Sequence, residues 1–290
     1  MTRSAAAVRT LADEAGRAQR IGRAATLALY DELALSPKPG LVTLVDRGSH
    51  SDMDARTFMR SLFALRGYFV RIAALGAAGA PFDALERCGI EAEARMLAAT
   101  GGVNTHRGAI FTLGLLCAAA GQAVHSGSRP EPARLRATLL RSWGDALAAR
   151  AGRPSTLPGG IAARRHGLRS ASGEAALGFP VLFETALPAM QAATDRGLAR
   201  EQVLLETLFS VMAVLDDSNL AHRGGLDGLR HAQRAARGFL AAGGAAHAGG
   251  LALALDIGRD FVSRRLSPGG AADTLAAACL VARLGSLPAM

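Results

Sequence analysis

Apolar residues recur along this chain at three- and four-residue spacings, and no alternating run longer than about five residues suggests a strand. Residues 5–35 set Leu11, Ile21, Leu27, Leu29 and Leu33 among arginines and alanines, the pattern of one or two amphipathic helices. Asp54 is placed to cap a helix that runs to about Gly76, with Phe58, Leu62, Leu65, Phe69 and Ile72 on one face. Ala80-Pro81 breaks it, and residues 82–99 predict the next helix. Helices are also predicted directly after the glycine loop 101–108, near 132–149 (with Trp143), beyond Pro180, and over 199–215, 226–241, 245–265 and 274–284. Residues 150–173, rich in Gly, Pro and Arg, predict a long mobile loop. No repeat period of 20–50 residues is present. The expectation is an all-α, single compact domain over 1–290, of roughly ten helices, with the site built from inter-helix loops. Residues 1–20 are expected to form a loosely attached N-terminal helix.

Composition fits this picture. Half the residues are hydrophobic, only 4% are aromatic and 20% are charged, which suits packed helices with a substantial core. The net charge of +9 points to an anionic partner. The basic residues are dispersed and not interleaved with aromatics, so a nucleic-acid partner is not expected. Cys88, Cys117 and Cys279 lack metal-type spacing and read as small core residues. The charge-free stretches Gly108–Ser128 and Gly238–Leu255 each carry glycines and a histidine, and read as buried helices and not membrane spans. A cytoplasmic location is expected, because acids at Asp13 and Glu14 interrupt the N-terminal arginines and no apolar signal core follows.

Candidate chemistry concentrates in four polar breaks, near 38–54, 101–108, 173–174 and 216–225. Lys38 is the only lysine, in a chain that otherwise uses arginine, which suggests a place for a compact ammonium. The only two asparagines, Asn104 and Asn219, lie in these breaks, each followed shortly by His-Arg-Gly. Asp46, Asp52, Asp54, Glu174, Asp216 and Asp217 are hard oxygen donors of the kind Mg²⁺ uses alongside phosphate oxygens. A helix cap or a solvated charge is the ordinary use of each one singly. Arg164-Arg165-His166 with Arg169 forms either a solvated turn or a flap over phosphates. No Walker loop or Gly-x-Gly-x-x-Gly occurs.

Five ordered motifs carry a family resemblance: Ser36-Pro37-Lys38-Pro39-Gly40-Leu41-Val42 with His50-x-Asp52-Met53-Asp54; Gly102 to Phe111; Gly173-Glu174-Ala175 with Gly178-Phe179-Pro180; Asp217-Ser218-Asn219; and Ser267 to Asp273. Over about residues 20–287 the chain resembles the triphosphoribosyl-dephospho-coenzyme A synthases, and among them the branch that serves malonate decarboxylase rather than citrate lyase. Two departures stand out, Ser172 where the family has arginine and Ser218 where it has threonine. Arg169 or Arg165 is expected to supply the missing cation.

The resemblance implies a pentosyltransferase that moves the 5-triphosphoribosyl group of ATP onto the 2′-hydroxyl of 3′-dephospho-CoA and releases adenine. Its partners would be those two substrates with Mg²⁺, neither nucleic acid nor membrane, a second copy in a homodimer, and a separate carrier-protein transferase that uses the product. Glu174 or Asp217 is expected as the base or ion-stabilising carboxylate. One of His50, His106 and His222 is expected to protonate adenine, His106 being the one chosen, because imidazole titrates near neutral pH. Lys38, Asp46, Arg47, His50, Asn104, Arg107, Gly108, Asn219, His222 and Arg223 are expected to bind ATP, and Asp52, Asp54 and Asp216 the metal. Two other readings compete: a Mg²⁺-dependent helical hydrolase of ADP-ribose or nucleotide-like substrates, and a basic module binding nucleic acid or an acyl carrier without catalysis.

Overall fold

The apolar stripes fold into twelve helices in this computed structural model, which describes residues 2–286, with side chains from residue 13 onward; no strand occurs among the described residues. The helices are α1 (Thr2–Ala34), α2 (Ala55–Ala77), α3 (Phe82–Thr100), α4 (Arg107–His125), α5 (Pro132–Ala151), α6 (Pro158–His166), α7 (Ala171–Ala176), α8 (Leu187–Asp195), α9 (Arg200–Met212), α10 (Ser218–Ala241), α11 (Gly250–Ser263) and α12 (Gly269–Gly285).

The core forms around α4. This helix is long and apolar enough to cross a membrane, yet most of it is buried inside the protein, as the sequence suggested for 108–128. Small residues let its neighbours come close. A Cβ on Gly76 of α2 would strike the Ala118 carbonyl, and one on Gly121 of α4 would strike that of Ala73. Backbones in such contact leave no space for a larger residue. α1 and α12 pack on other sides of α4, and Leu113, Leu116, Leu275 and Leu280 are fully buried between them. Each such leucine contributes about 1.5–3 kcal/mol through burial. Cys88, Cys117 and Cys279 are buried free thiols, and burial raises the pKa of each.

The predicted cap holds: Asp54 Oδ1 accepts from the Thr57 amide (2.9 Å) and starts α2. Three expectations need correction. The mobile loop predicted over 150–173 contains α6 and the start of α7, because Pro158 suits a helix's first turn and Ser170 caps α7 through the Gly173 amide. The polar break 216–225 ends at Asp217, whose carboxylate caps α10, so Asn219, His222 and Arg223 ride on helical turns. The Gly224-Gly225 pair kinks this helix without ending it, Gly225 having φ 64° and ψ −167°. Finally, the helix expected over 245–265 is a 3₁₀ turn at Gly244–Ala246 followed by α11. The 5–35 segment is one continuous helix, α1. The expectation of a loose 1–20 segment falls largely on Met1 and on side chains outside the described residues.

Candidate active site

A cavity of about 970 Å³ opens between α1, α2, α3, α4, α6, α10 and α12. First-turn residues of four helices line it: Arg107 and Gly108 of α4, Gly159 and Gly160 of α6, Ser218 and Asn219 of α10, and Gly269 and Gly270 of α12. Each helix start carries about half a positive charge, so four together favour an anion, although first-turn amides of α10 and α12 are already taken by Asp217 and Ser267. Arg107, Arg150, Arg153, Arg164 and Arg223 add cationic side chains to the lining. Arg107 and Arg150 are paired with Glu93 and Glu86. Arg164 and Arg223 have no carboxylate within ion-pair distance among the described residues, so their charge remains for a ligand.

The α10 and α12 ends are held together by one buried side chain. Asp217 Oδ1 accepts from the Asn219 and Leu220 amides (2.9 and 3.3 Å), and its Oδ2 accepts from the Ala271 amide (3.0 Å) across the gap to α12. Burial pushes the Asp217 pKa up, and these amides oppose the rise. The carboxylate is saturated by donors and does not itself line the cavity.

Beside this clip lies a directional relay. Arg223 Nη2 donates to His50 Nδ1 at 3.0 Å. A guanidinium has no acceptor, so the proton of the imidazole sits on Nε2, which donates to Ser267 Oγ at 2.9 Å. Ser267 is buried yet lines the cavity next to the start of α12. Burial, and then Arg223, lower the His50 pKa to about 4, with Asp52 working against both. His50 therefore stands neutral at pH 7, and its role is to orient Ser267 and Arg223.

At the α4 end, His106 is the N-terminal flanking residue and is buried. Its Nδ1 meets Ser61 Oγ at 2.6 Å and its ring stands edge-on to Phe58, while Nε2 and the nearby Thr105 Oγ1 have no partner. Burial, helped by the Lys38 charge, lowers the His106 pKa to about 3. This corrects the expectation of a cationic acid: the imidazole is neutral, with one unsatisfied nitrogen at the cavity wall. Lys38 also differs from expectation. Its buried ammonium donates to the Glu32 carboxylate and to the Glu32 carbonyl (2.6 Å), behind the wall instead of in the cavity. Burial lowers its pKa and Glu32 resists.

Glu32 itself does line the cavity, and so does Asp273 of α12. A Cβ on Gly108 would collide with Asp273 Oδ2, so glycine at that position admits the carboxyl to the start of α4. Burial raises the Asp273 pKa well above the carboxylate range; Glu32 and Asp217 add to the rise and the Ala109 amide opposes it.

The structure thus brings His50, Asp52, Asn104, His106, Arg107, Gly108, Asn219, His222 and Arg223 to one cavity. Asp46, Arg47, Asp54, Asp216 and Glu174 do not line it. Asp46 accepts from the Gly48 amide (3.0 Å) within its own turn. Arg47 reaches Asp54, which is occupied as the α2 cap. Asp216 accepts from the Arg169 amide (3.2 Å). Glu174 binds Arg169 Nη1 (2.8 Å) and the Val181 amide (3.2 Å). Arg169 is thus a cation beside Glu174, where Ser172 supplies none. Sequence reading missed Glu32, Ser267 and Asp273 as site residues. The last two sit in the Ser267–Asp273 motif, which was visible, whereas Glu32 is an ordinary acid in an amphipathic helix and gave no signal.

Fold and cavity define an all-α protein whose cavity gathers several helix N-termini and arginines, a lining suited to an anionic ligand. The chain belongs to the CitG family, ATP:dephospho-CoA triphosphoribosyl transferase, whose model matches residues 18–289. It is a transferase of that family. Two similar proteins come from Vibrio cholerae serotype O1, strains M66-2 and ATCC 39315 / El Tor Inaba N16961, each bearing the name probable 2-(5''-triphosphoribosyl)-3'-dephosphocoenzyme-A synthase. Each is 38% identical over 277 residues, covering 92% of this chain and 88% of the relative. No solved structure matches.

Proposed function

We propose that the cavity binds ATP and 3′-dephospho-coenzyme A and transfers the intact 5-triphosphoribosyl group to the acceptor's 2′-hydroxyl, releasing adenine. The observation that carries this reading is the convergence of four helix N-termini, with Arg164 and Arg223, on one cavity that carboxylates also line. A triphosphate needs fixed donors and positive charge, while glycosyl transfer needs carboxylates near a developing oxocarbenium ion. Ser267, aimed by His50, donates to a phosphate oxygen at the α12 end. Asn104 and Asn219 border the same space and orient the ribose and base.

The donor set suits magnesium held chiefly by the substrate. No three His, Cys, Asp or Glu side chains cluster as a metal site among the described residues. Of the expected ligands, only Asp52 lines the cavity, exposed at its mouth, while Asp54 and Asp216 are engaged elsewhere. One carboxylate plus phosphate oxygens is a usual Mg²⁺ arrangement. The ion would neutralise triphosphate charge.

The product is the precursor of the prosthetic group on the acyl-carrier subunit of a malonate decarboxylase or citrate lyase, attached by a separate carrier-protein transferase. The test is incubation with ATP, Mg²⁺ and 3′-dephospho-coenzyme A, with adenine and the triphosphoribosylated coenzyme followed by mass spectrometry. Adenine appears only when the acceptor is present. Adenine release without acceptor would instead identify a hydrolase, and no release at all would leave the cavity a binding site.

A further inference from the structure

We propose that Asp273 is the acid that protonates departing adenine and that Glu32 is the base that takes the proton of the acceptor hydroxyl. The proposal rests on the transfer reaction described above and assigns its proton-handling groups.

Five carboxylates line the cavity: Glu32, Asp52, Glu86, Glu93 and Asp273. Glu86 and Glu93 are part-exposed and paired with arginines that line the same cavity, and Asp52 is exposed, whereas Glu32 is buried. Glu32 and Asp273 remain, on α1 and α12, and they occupy opposite electrostatic situations. Glu32 has a buried ammonium against it, that of Lys38. Asp273 has no cation. It accepts from the Ala109 amide and faces the charges of Glu32 and Asp217. The titratable groups around it are therefore Glu32 from α1, Lys38 from the loop after α1, neutral His106 from the start of α4 and Asp217 from the start of α10. Burial and the neighbouring Glu32 and Asp217 carboxyls raise the Asp273 pKa, while the Lys38 ammonium lies against Glu32. Two carboxyl groups set apart in this way by their surroundings are the pattern of an acid and base pair.

The step balances with the two substrates alone. The C1′–N9 bond breaks and its electron pair leaves with adenine, whose ring nitrogen receives the Asp273 proton. The acceptor O–H proton goes to the Glu32 carboxylate as the new C1′–O bond forms. Proton transfer from Glu32 back to Asp273 restores both groups. The net change is one proton moved from acceptor to adenine.

The experiment compares ATP with 7-methyl-ATP, whose base carries a fixed positive charge and leaves neutral without a proton. For the Asp273→Asn variant with ATP, kcat falls about a thousandfold with KM values little changed. With 7-methyl-ATP the same variant comes within about tenfold of the unmutated enzyme. In the unmutated enzyme, kcat/KM for ATP falls as pH rises through the Asp273 pKa, and that basic limb is absent for 7-methyl-ATP. Glu32→Gln stays impaired on both donors. Equal loss by Asp273→Asn on both donors, or a basic limb that persists with 7-methyl-ATP, overturns the assignment of Asp273. Full activity of Glu32→Gln overturns that of Glu32. If the unmutated enzyme makes no triphosphoribosylated coenzyme from ATP, the reaction itself is wrong, a distinct outcome read before any variant is made.

Discussion

The two sides of the cavity use similar residues to opposite ends. At the α10/α12 side, Asp217 makes three amide hydrogen bonds and joins two helix starts. At the α4 side, His106 Nε2 and Thr105 Oγ1 are unpartnered, and Asp273 faces other carboxylates. A buried group without partners is costly, so the first side is built for stability and the second keeps its polar groups for a ligand. The comparison separates carboxylates that hold the scaffold from those available for chemistry. Asp54 and Glu174, bonded to amides and arginines, belong with Asp217.

The sharpest way to break this comparison is to remove the clip. Asp217→Ala takes away a helix cap and leaves buried amides of α10 and α12 unpaired. It is expected to cost about 2–4 kcal/mol, read as a lower urea midpoint with activity lost in proportion to folded protein. If stability is unchanged and only kcat falls, Asp217 belongs on the chemical side. Gly108→Ala acts on the other wall. The added methyl displaces Asp273 without altering any titratable group. Activity is expected to drop about a hundredfold or more while the melting temperature shifts by a few degrees. An active Gly108→Ala enzyme would mean that Asp273 need not sit against α4.

Smaller effects are expected where a residue only aims another. His50→Ala leaves Arg223 and Ser267 without their bridge, and KM for ATP is expected to rise about tenfold with kcat within about threefold. Gln, which offers a carbonyl to Arg223 and an amide to Ser267, should recover most of the loss. Glu174→Gln weakens a contact to a half-exposed arginine. Its turnover should fall less than that of Asp273→Asn, whereas the sequence alone suggests the reverse.

Much of the fold was legible because its signals are local. Proline, glycine and the Asp54 cap fixed where α2 and α3 start and stop, and the uniformly apolar α4 could only be buried. The five ordered motifs marked the segments around the cavity, but of the residues singled out in them Lys38, Glu174 and Asp217 do not line it. What the sequence hid is direction. Lys38 was singled out as the lone lysine, yet nothing local shows that it turns inward to Glu32 and away from the cavity. Asp217 and Glu174 were conspicuous because they stand in breaks between helices, which is also where caps are needed. Glu32 sits in the last turn of α1, and only the packing of α1 against α12 gives it meaning.

The mildest test reads the unpaired histidine through stability. The His106 pKa is lowered in the folded protein, to about 3 against 6.5 for the free side chain. Between those values the unfolded chain binds the extra proton and the folded one does not, so falling pH favours unfolding. The penalty is absent above about pH 6.5 and grows by at most about 1.4 kcal/mol per pH unit below it. His50, lowered to about 4, adds in the same direction but is partly solvated. Asp273 and Asp217 are raised, so they act oppositely and favour the folded state where they stay protonated. Comparing His106→Gln with the unmutated protein isolates the histidine, since these other groups are common to both. Urea midpoints between pH 4 and 6.5 are expected to fall less steeply in the variant, and parallel curves would mean that the imidazole titrates alike in the folded and unfolded chain.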